Sequence, residues 1–140
     1  FTEKVIDCSS CMSDVLGTGT EKPAETPLKI AYHAPCHLCR GLGVIDQPRA
    51  LINAAGHTYV PSRDEDVCCG FGGSYSVDFP EISAEILKKK LDNVEASGAD
   101  IVVADCPGCV RELGGGIDKR GGRIRVKHIA ELMINGPRGR

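Results

Sequence analysis

The sequence has no tryptophan, and aromatic residues make up only 4% of its 140 positions. Single-stranded nucleic acids are held largely by stacking bases on aromatic rings, so this composition argues against that class. Neither sign of charge is in excess, with 17 basic and 19 acidic residues for a net charge of -2. Nothing in that balance favours nucleic acid or an anionic membrane as a partner. Lys88-Lys89-Lys90 is the only basic run, and it reads as the solvated face of a helix. No apolar run approaches the roughly 20 residues of a membrane-spanning helix, and no signal-peptide pattern opens the chain. No Ser/His/Asp arrangement or paired carboxylate stands out for hydrolysis. The expectations are no nucleic acid, no transmembrane segment and a cytoplasmic location.

What the chain has in plenty is cysteine, at positions 8, 11, 36, 39, 68, 69, 106 and 109. Disulfide scaffolds of secreted proteins are usually shorter and rich in loops, whereas strand and helix patterns run through this chain. Three Cys-x-x-Cys pairs without a secretion signal favour metal or cluster ligation in a reducing compartment, with disulfides as the alternative. The central stretch is Cys68-Cys69-Gly70-Phe71-Gly72-Gly73. Neighbouring side chains of an extended segment point to opposite faces. For both sulfurs to reach one object the backbone must kink around it, and the glycines permit the close approach.

The chain divides into a short leading piece, a spacer and one main unit. Residues 1–16 start as a strand at Lys4-Val5-Ile6 and finish in Cys8-Ser9-Ser10-Cys11. Residues 17–27 have little to bury and read as a linker. In the main unit, 28–134, strands are expected at Lys29–His33, His57–Val60, Ile101–Ala104 and Ile124–Lys127. Helices are expected from Asp46 to Gly56, from about Phe79 to Ser97 with an apolar stripe of Ile82, Ile86, Leu87, Leu91 and Val94, from Cys106 or Pro107 to Gly114-Gly115-Gly116, and from Ile129 to Ile134. The loop holding Arg63, Asp64, Glu65 and Asp66 is expected to be exposed, and residues 135–140 to be frayed. Strands alternating with helices imply an α/β fold: a small, open, mainly parallel four-stranded sheet with helices on both faces. Ligands of such sheets sit beyond the carboxyl ends of the strands, which is where Cys36, Cys68, Cys69, Cys106 and Cys109 fall. Asp7-Cys8-Ser9-Ser10-Cys11 shifted by 98 positions lands on Asp105-Cys106-Pro107-Gly108-Cys109, the trace of a truncated preceding repeat.

Cys106-Pro107-Gly108-Cys109 has its own mechanical logic. With Cys106 at the helix cap and Pro107 as its first residue, Cys109 lies one turn on along the same face. The helix N-terminus then lowers the thiolate pKa and stabilises an anionic cluster; a thioredoxin-like dithiol has the same local form. Five thiolates are one too many for tetrahedral zinc, whereas an iron–sulfur cluster accommodates the fifth. Zinc held by four of them stays open as the alternative.

Thirty-one residues separate Cys36 from Cys68, and thirty-six separate Cys69 from Cys106. The pattern Cys-x31-Cys-Cys-Gly-x36-Cys-Pro-Gly-Cys resembles the CCG, or cysteine-rich, domain of the heterodisulfide reductases, of glycolate oxidase iron–sulfur subunits and of lactate-utilisation iron–sulfur oxidoreductases. Tyr32-His33-Ala34-Pro35-Cys36-His37-Leu38, Arg40-Gly41-Leu42-Gly43, Pro80-Glu81-Ile82-Ser83 and Val126-Lys127-His128-Ile129-Ala130-Glu131-Leu132 look closest to the lactate and glycolate group. The resemblance implies a [4Fe-4S]-type cluster, or zinc, on Cys36, Cys68, Cys69, Cys106 and Cys109. It implies an electron-transfer role in a complex that oxidises lactate or glycolate, with iron–sulfur and flavin subunits as partners and any membrane association coming through them. Heterodisulfide cleavage at the cluster and a zinc-bound docking domain are the alternatives, and the fragment alone is expected to be inactive. By the same resemblance residues 1–16 end a first repeat, leaving Cys8 and Cys11 poor ligands by themselves. Cys39 departs from the pattern, as a spare thiol or as a disulfide partner for Cys36 after cluster loss. His33, His37 and His128 are expected to support the site by hydrogen bonding, or to be satisfied core residues, rather than to ligate. Asp105 reads either as a charge tuning the site or as an exposed carboxylate. Gly70-x-Gly72-Gly73-Ser74 lacks the full dinucleotide fingerprint.

Overall fold

The computed structural model describes residues 5–17 and 24–134. Four strands, β1 (Lys29–His33), β2 (Thr58–Tyr59), β3 (Ile101–Ala104) and β4 (Arg125–His128), form one sheet in the order β2-β1-β3-β4. Every neighbouring pair is parallel. The chain leaves β1 for one side of the sheet and returns to its other side at β3, so the switch point lies between these two strands. That crevice is where an open parallel sheet offers room for a ligand.

Side chains of successive strand residues alternate between faces, and the core divides accordingly. Ile30, Tyr32, Ile101 and Val103 pack on one face with Ile52 and Leu132, from α2 (Asp46–Ala54) and α6 (Ile129–Ile134). Ala31, Val102 and Ala104 pack on the other with Leu91, Val94, Leu113 and Ile117, from α4 (Pro80–Ala96), which follows the single-turn α3 (Tyr75–Asp78), and from α5 (Pro107–Arg120). Burying a side chain of the Ile or Val kind contributes about 1.5–3 kcal/mol, and both faces of the central strands are filled. The helices therefore cover both faces, as the alternating sequence pattern implies.

Three expectations need correction. Residues 5–7 form no strand; Asp7 instead caps the short helix α1 (Cys8–Ser10), its Oδ1 accepting from Ser10 N at 2.9 Å, and the turn continues as a π-helical segment over Cys11–Val15. Helix α5 does not stop at its three glycines but runs to Arg120, where Gly121 takes a left-handed φ of 66°. Of the three, Gly116 is required by packing: a Cβ on it would meet Leu91 Cδ1 at 2.8 Å and Leu87 Cδ2 at 2.9 Å. The stripe of α4 is also mixed rather than apolar. Ile82 is exposed, while Ser83 and Lys90 are buried beside Leu91 and Val94. The central part of the expected linker, residues 18–23, and the expected frayed tail, residues 135–140, lie outside the described residues.

Candidate metal centre

Three loops leaving the carboxyl ends of the strands converge on the crevice. After β1, Pro35 leads to Cys36, which opens a π-helical turn over His37–Leu42 closed by left-handed Gly43. Such turns are rare and recur at functional sites. Cys36 faces Cys68; burial, then the neighbouring Cys68 sulfur, pushes the Cys36 thiol up. After β3, Cys106 is the extended N-cap of α5 and Pro107 its first residue. Cys109 then stands one turn inside the helix and buried, against both Cys106 and Cys69.

The Cys69–Cys109 pair is electrostatically asymmetric. The Cys109 sulfhydryl donates to Cys69, and this outweighs the burial that would raise Cys69; His33 and the Phe71 backbone N–H add to it, pulling the Cys69 thiol down to about 4. Cys109 is pushed up in turn, first by that hydrogen bond and then by burial. The hydrogen bond thus favours the thiolate on Cys69 and the protonated thiol on Cys109. The thiolate is the ligating and nucleophilic form of cysteine.

The loop that carries Cys68 and Cys69 is fastened from α4. Ser83 Oγ donates to the Gly70 carbonyl at 2.9 Å. Lys90 Nζ donates to the Asp64 carbonyl and, at 3.2 Å, to that of Glu65, and Asn93 Nδ2 donates to Asp64 Oδ2. Lys90 therefore does not share the solvated face its basic run implies; it is 3% exposed, and burial lowers its pKa. The loop is not uniformly exposed either. Glu65 is buried, paired with Arg49 at 2.6 Å and accepting from the Tyr59 hydroxyl. Gly70 adopts φ 100°, and a Cβ there would stand 2.6 Å from the Ser83 carbonyl oxygen. Further on, Phe71 covers Gly108, where a Cβ would meet its ring at 2.6 Å. One contact thus closes the Cys-Cys-Gly turn over the Cys-Pro-Gly-Cys helix start.

The chain matches the family described as Cysteine-rich domain over residues 30–114. This chain belongs to that family. Curated relatives include "Lactate utilization protein A" of Exiguobacterium sp., 37% identical over 95% of this chain and 54% of the relative. The protein of the same name from Lysinibacillus sphaericus is 42% identical over 75% of this chain and 46% of the relative. That from Oceanobacillus iheyensis is 34% identical over 95% and 54%. The chain spans about half the length of the curated relatives it matches.

None of the chain's eight cysteines is in a disulfide. Cys39 packs against the sheet face of Ile30, Tyr32 and Ile52, opposite to that of Cys69 and Cys109, with its sulfur toward the Ala34 and Cys36 carbonyls at 4.0 and 3.9 Å. His37 is exposed. His128 is a support: its Nδ1 accepts from Ala130 N–H at 3.3 Å, so Nε2 bears the proton donated to the Asp105 carbonyl at 2.9 Å. Asp105 is no exposed carboxylate. It accepts from Tyr32 Oη at 2.7 Å and Ser9 Oγ at 2.8 Å, binding α1 to the residue before Cys106. Burial raises its pKa, and the two hydrogen bonds oppose that rise. Sequence reasoning misses this network, Lys90 and Glu65; the visible signal is the polar residue recurring at helical spacing inside α4. Among the described residues no helix is long and apolar enough to cross a membrane.

The donor chemistry fits a metal or cluster. Soft thiolates suit zinc and iron–sulfur centres, one thiolate is preset, and Cys69, Cys109 and His33 bring three buried donor atoms within 4.8 Å of one another.

Proposed function

We propose that this domain is an electron-transfer module in a lactate-oxidising assembly, holding a [4Fe-4S]-type cluster through Cys36, Cys68, Cys69, Cys106 and Cys109. The observation that supports the reading is the pairing of sulfurs from three separate loops, Cys36 with Cys68, and Cys109 with both Cys69 and Cys106. When bound, such a cluster takes up and releases electrons one at a time. The chain's residues provide the conditions. Cys69 offers a thiolate, and Cys109 gives up its proton on ligation, so loading releases protons. The N-terminus of α5 points free backbone N–H groups at the sulfurs and favours negative charge. Gly70 lets the backbone come close, while Phe71 over Gly108 excludes water from the buried side.

Residues 1–16 would be the end of a preceding repeat, 17–27 a linker and 28–134 the main unit. Its partners would be iron–sulfur and flavin subunits that perform the hydroxy-acid chemistry on the cytoplasmic side. The fragment by itself would not turn over lactate.

Anaerobic reconstitution followed by iron, sulfide and zinc analysis and electron paramagnetic resonance tests this reading. Iron and sulfide in cluster stoichiometry with a redox-active signal are expected. One zinc, no iron and no redox signal would replace the relay by a zinc-bound docking domain.

A further inference from the structure

Neither ring nitrogen of His33 has a nitrogen or oxygen hydrogen-bond partner, although the residue is only 1% exposed; what the ring faces is the Cys69 sulfur. A buried polar atom without a partner costs about 1–3 kcal/mol, and the ring nitrogen turned away from Cys69 is such an atom. The other two buried or half-buried histidines each spend a nitrogen on the backbone, His57 on Leu28 N and His128 on the Asp105 carbonyl. The position does not call for a polar residue on packing grounds. Ala31, two residues earlier on the same face, and Ala104, the register partner of His33 on β3, are both alanine in the core. What His33 does have is a ring nitrogen and the sulfurs of Cys69 and Cys109 all within 4.8 Å of one another, every one of the three residues buried.

Donor atoms on one tetrahedral ion, with metal–sulfur bonds of about 2.3 Å and metal–nitrogen bonds of about 2.0–2.1 Å, stand roughly 3.6–3.8 Å apart. A contraction of about 1 Å in side-chain positions brings these three onto a single ion, within the reach of χ adjustments and needing no strand movement. We propose that His33 is a nitrogen ligand of this centre, forming with Cys69 and Cys109 a mixed Cys2His donor face at the buried end of the cradle. This rests on the reading that the cysteines hold a metal, and it changes what they hold it with. A neutral imidazole in place of a thiolate leaves the centre one negative charge less, and histidine-ligated iron–sulfur centres have higher reduction potentials than their all-cysteine counterparts. Ligation also gives the facing nitrogen of the ring a metal in place of a weak sulfur contact, which accounts for a histidine at a buried position of β1.

The test uses the 140-residue chain, reduced and free of metal, titrated anaerobically with Co2+ as the probe. Wild type is expected to show thiolate-to-cobalt charge-transfer absorption together with tetrahedral d–d bands. With 15N-histidine labelling, the bound metal's resonance should carry a nitrogen coupling of directly ligated size. His33→Ala should lose that coupling, move the d–d bands and weaken Co2+ binding at least about tenfold, while His33→Cys should recover affinity with bands displaced toward the sulfur-only pattern. The labelled wild-type measurement stands even if a variant fails to fold. Charge-transfer bands without nitrogen coupling, and His33→Ala affinity equal to wild type, would overturn the ligand assignment while leaving the metal reading intact. No cobalt uptake at all would overturn both, and the two failures are distinguishable by the charge-transfer absorption.

Discussion

Replacing Gly70 by alanine separates two costs that the Cys-Cys-Gly turn avoids. At φ 100° any residue with a Cβ is strained, by about 1–2 kcal/mol. The added methyl would also stand 2.6 Å from the Ser83 carbonyl oxygen and 3.3 Å from its Oγ. The carbonyl belongs to the backbone of α4 and cannot swing aside, so the overlap behaves as overpacking, about 1–3 kcal/mol more. Gly73→Ala is the internal control: φ is 66°, with nothing within 4 Å of the added atom, so only the conformational cost of about 1 kcal/mol applies. Urea unfolding of the reduced, metal-free chain, followed by far-ultraviolet circular dichroism, should place Gly70→Ala about 3 kcal/mol below wild type and Gly73→Ala about 1 kcal/mol below. At roughly 3–5 °C per kcal/mol for a chain of this size, the midpoints of thermal unfolding should fall by about 10–15 °C and about 4 °C. If the two variants lie within about 0.5 kcal/mol of each other, the loop is not held against Ser83 as described.

Three further outcomes are expected. Lys90→Met strips the Asp64 and Glu65 carbonyls of their donor and should cost about 2 kcal/mol, with amide exchange accelerating first in residues 64–70. Tyr59→Phe probes pH dependence: burial, then the hydrogen bond to Glu65, raises the Tyr59 pKa to about 12 from 10.0. A group whose pKa rises on folding stabilises the fold fully below its unfolded pKa and loses that contribution as pH climbs through the folded one. The stability gap between wild type and Tyr59→Phe should therefore be constant from about pH 7 to about pH 10 and close toward about pH 12, and a gap unchanged at that upper end would refute it. Asp105→Asn weakens the acceptor shared by Ser9 and Tyr32, by about 1–2 kcal/mol. Limited proteolysis should then cut near Cys8–Val15 earlier than in wild type, and the thermal midpoint of the whole chain should fall because Tyr32 of β1 loses its charged acceptor; a cleavage rate equal to wild type would refute the role given to Asp105.

The sheet was legible because its strands are short apolar runs with punctuation that leaves few alternatives. Lys29–His33 and Ile101–Ala104 are bounded by Pro35 and by Gly98 and Asp105, and both fall where expected. The cysteine positions at the strand ends followed from topology alone. Local pattern failed where a residue answers to a distant segment. Lys90 and Ser83 look like solvated helix positions until loop 64–70 is folded over them. Gly114-Gly115-Gly116 looks like a helix stop until Leu87 and Leu91 are seen to need the space beside Gly116. His33 reads as an ordinary strand-end histidine, and only its burial without a nitrogen or oxygen partner, facing the Cys69 sulfur, marks it out.

The pairing of β1 with β3 joins Ile30 to Ile101 and His33 to Ala104, across 71 residues of chain. Closing so long a loop is an entropic toll met before its contacts are gained, and pairings of this kind form late and slowly. His33 and Cys36 hang from one side of that seam and Cys106 and Cys109 from the other, with the loop of Cys68 and Cys69 emitted between them. The cradle therefore has no partial version. A nascent or half-unfolded chain carries only isolated Cys-x-x-Cys pairs, whereas the sulfurs of the three loops come together only after the seam has closed. Any centre held by all of them would therefore mark a chain whose folding is finished.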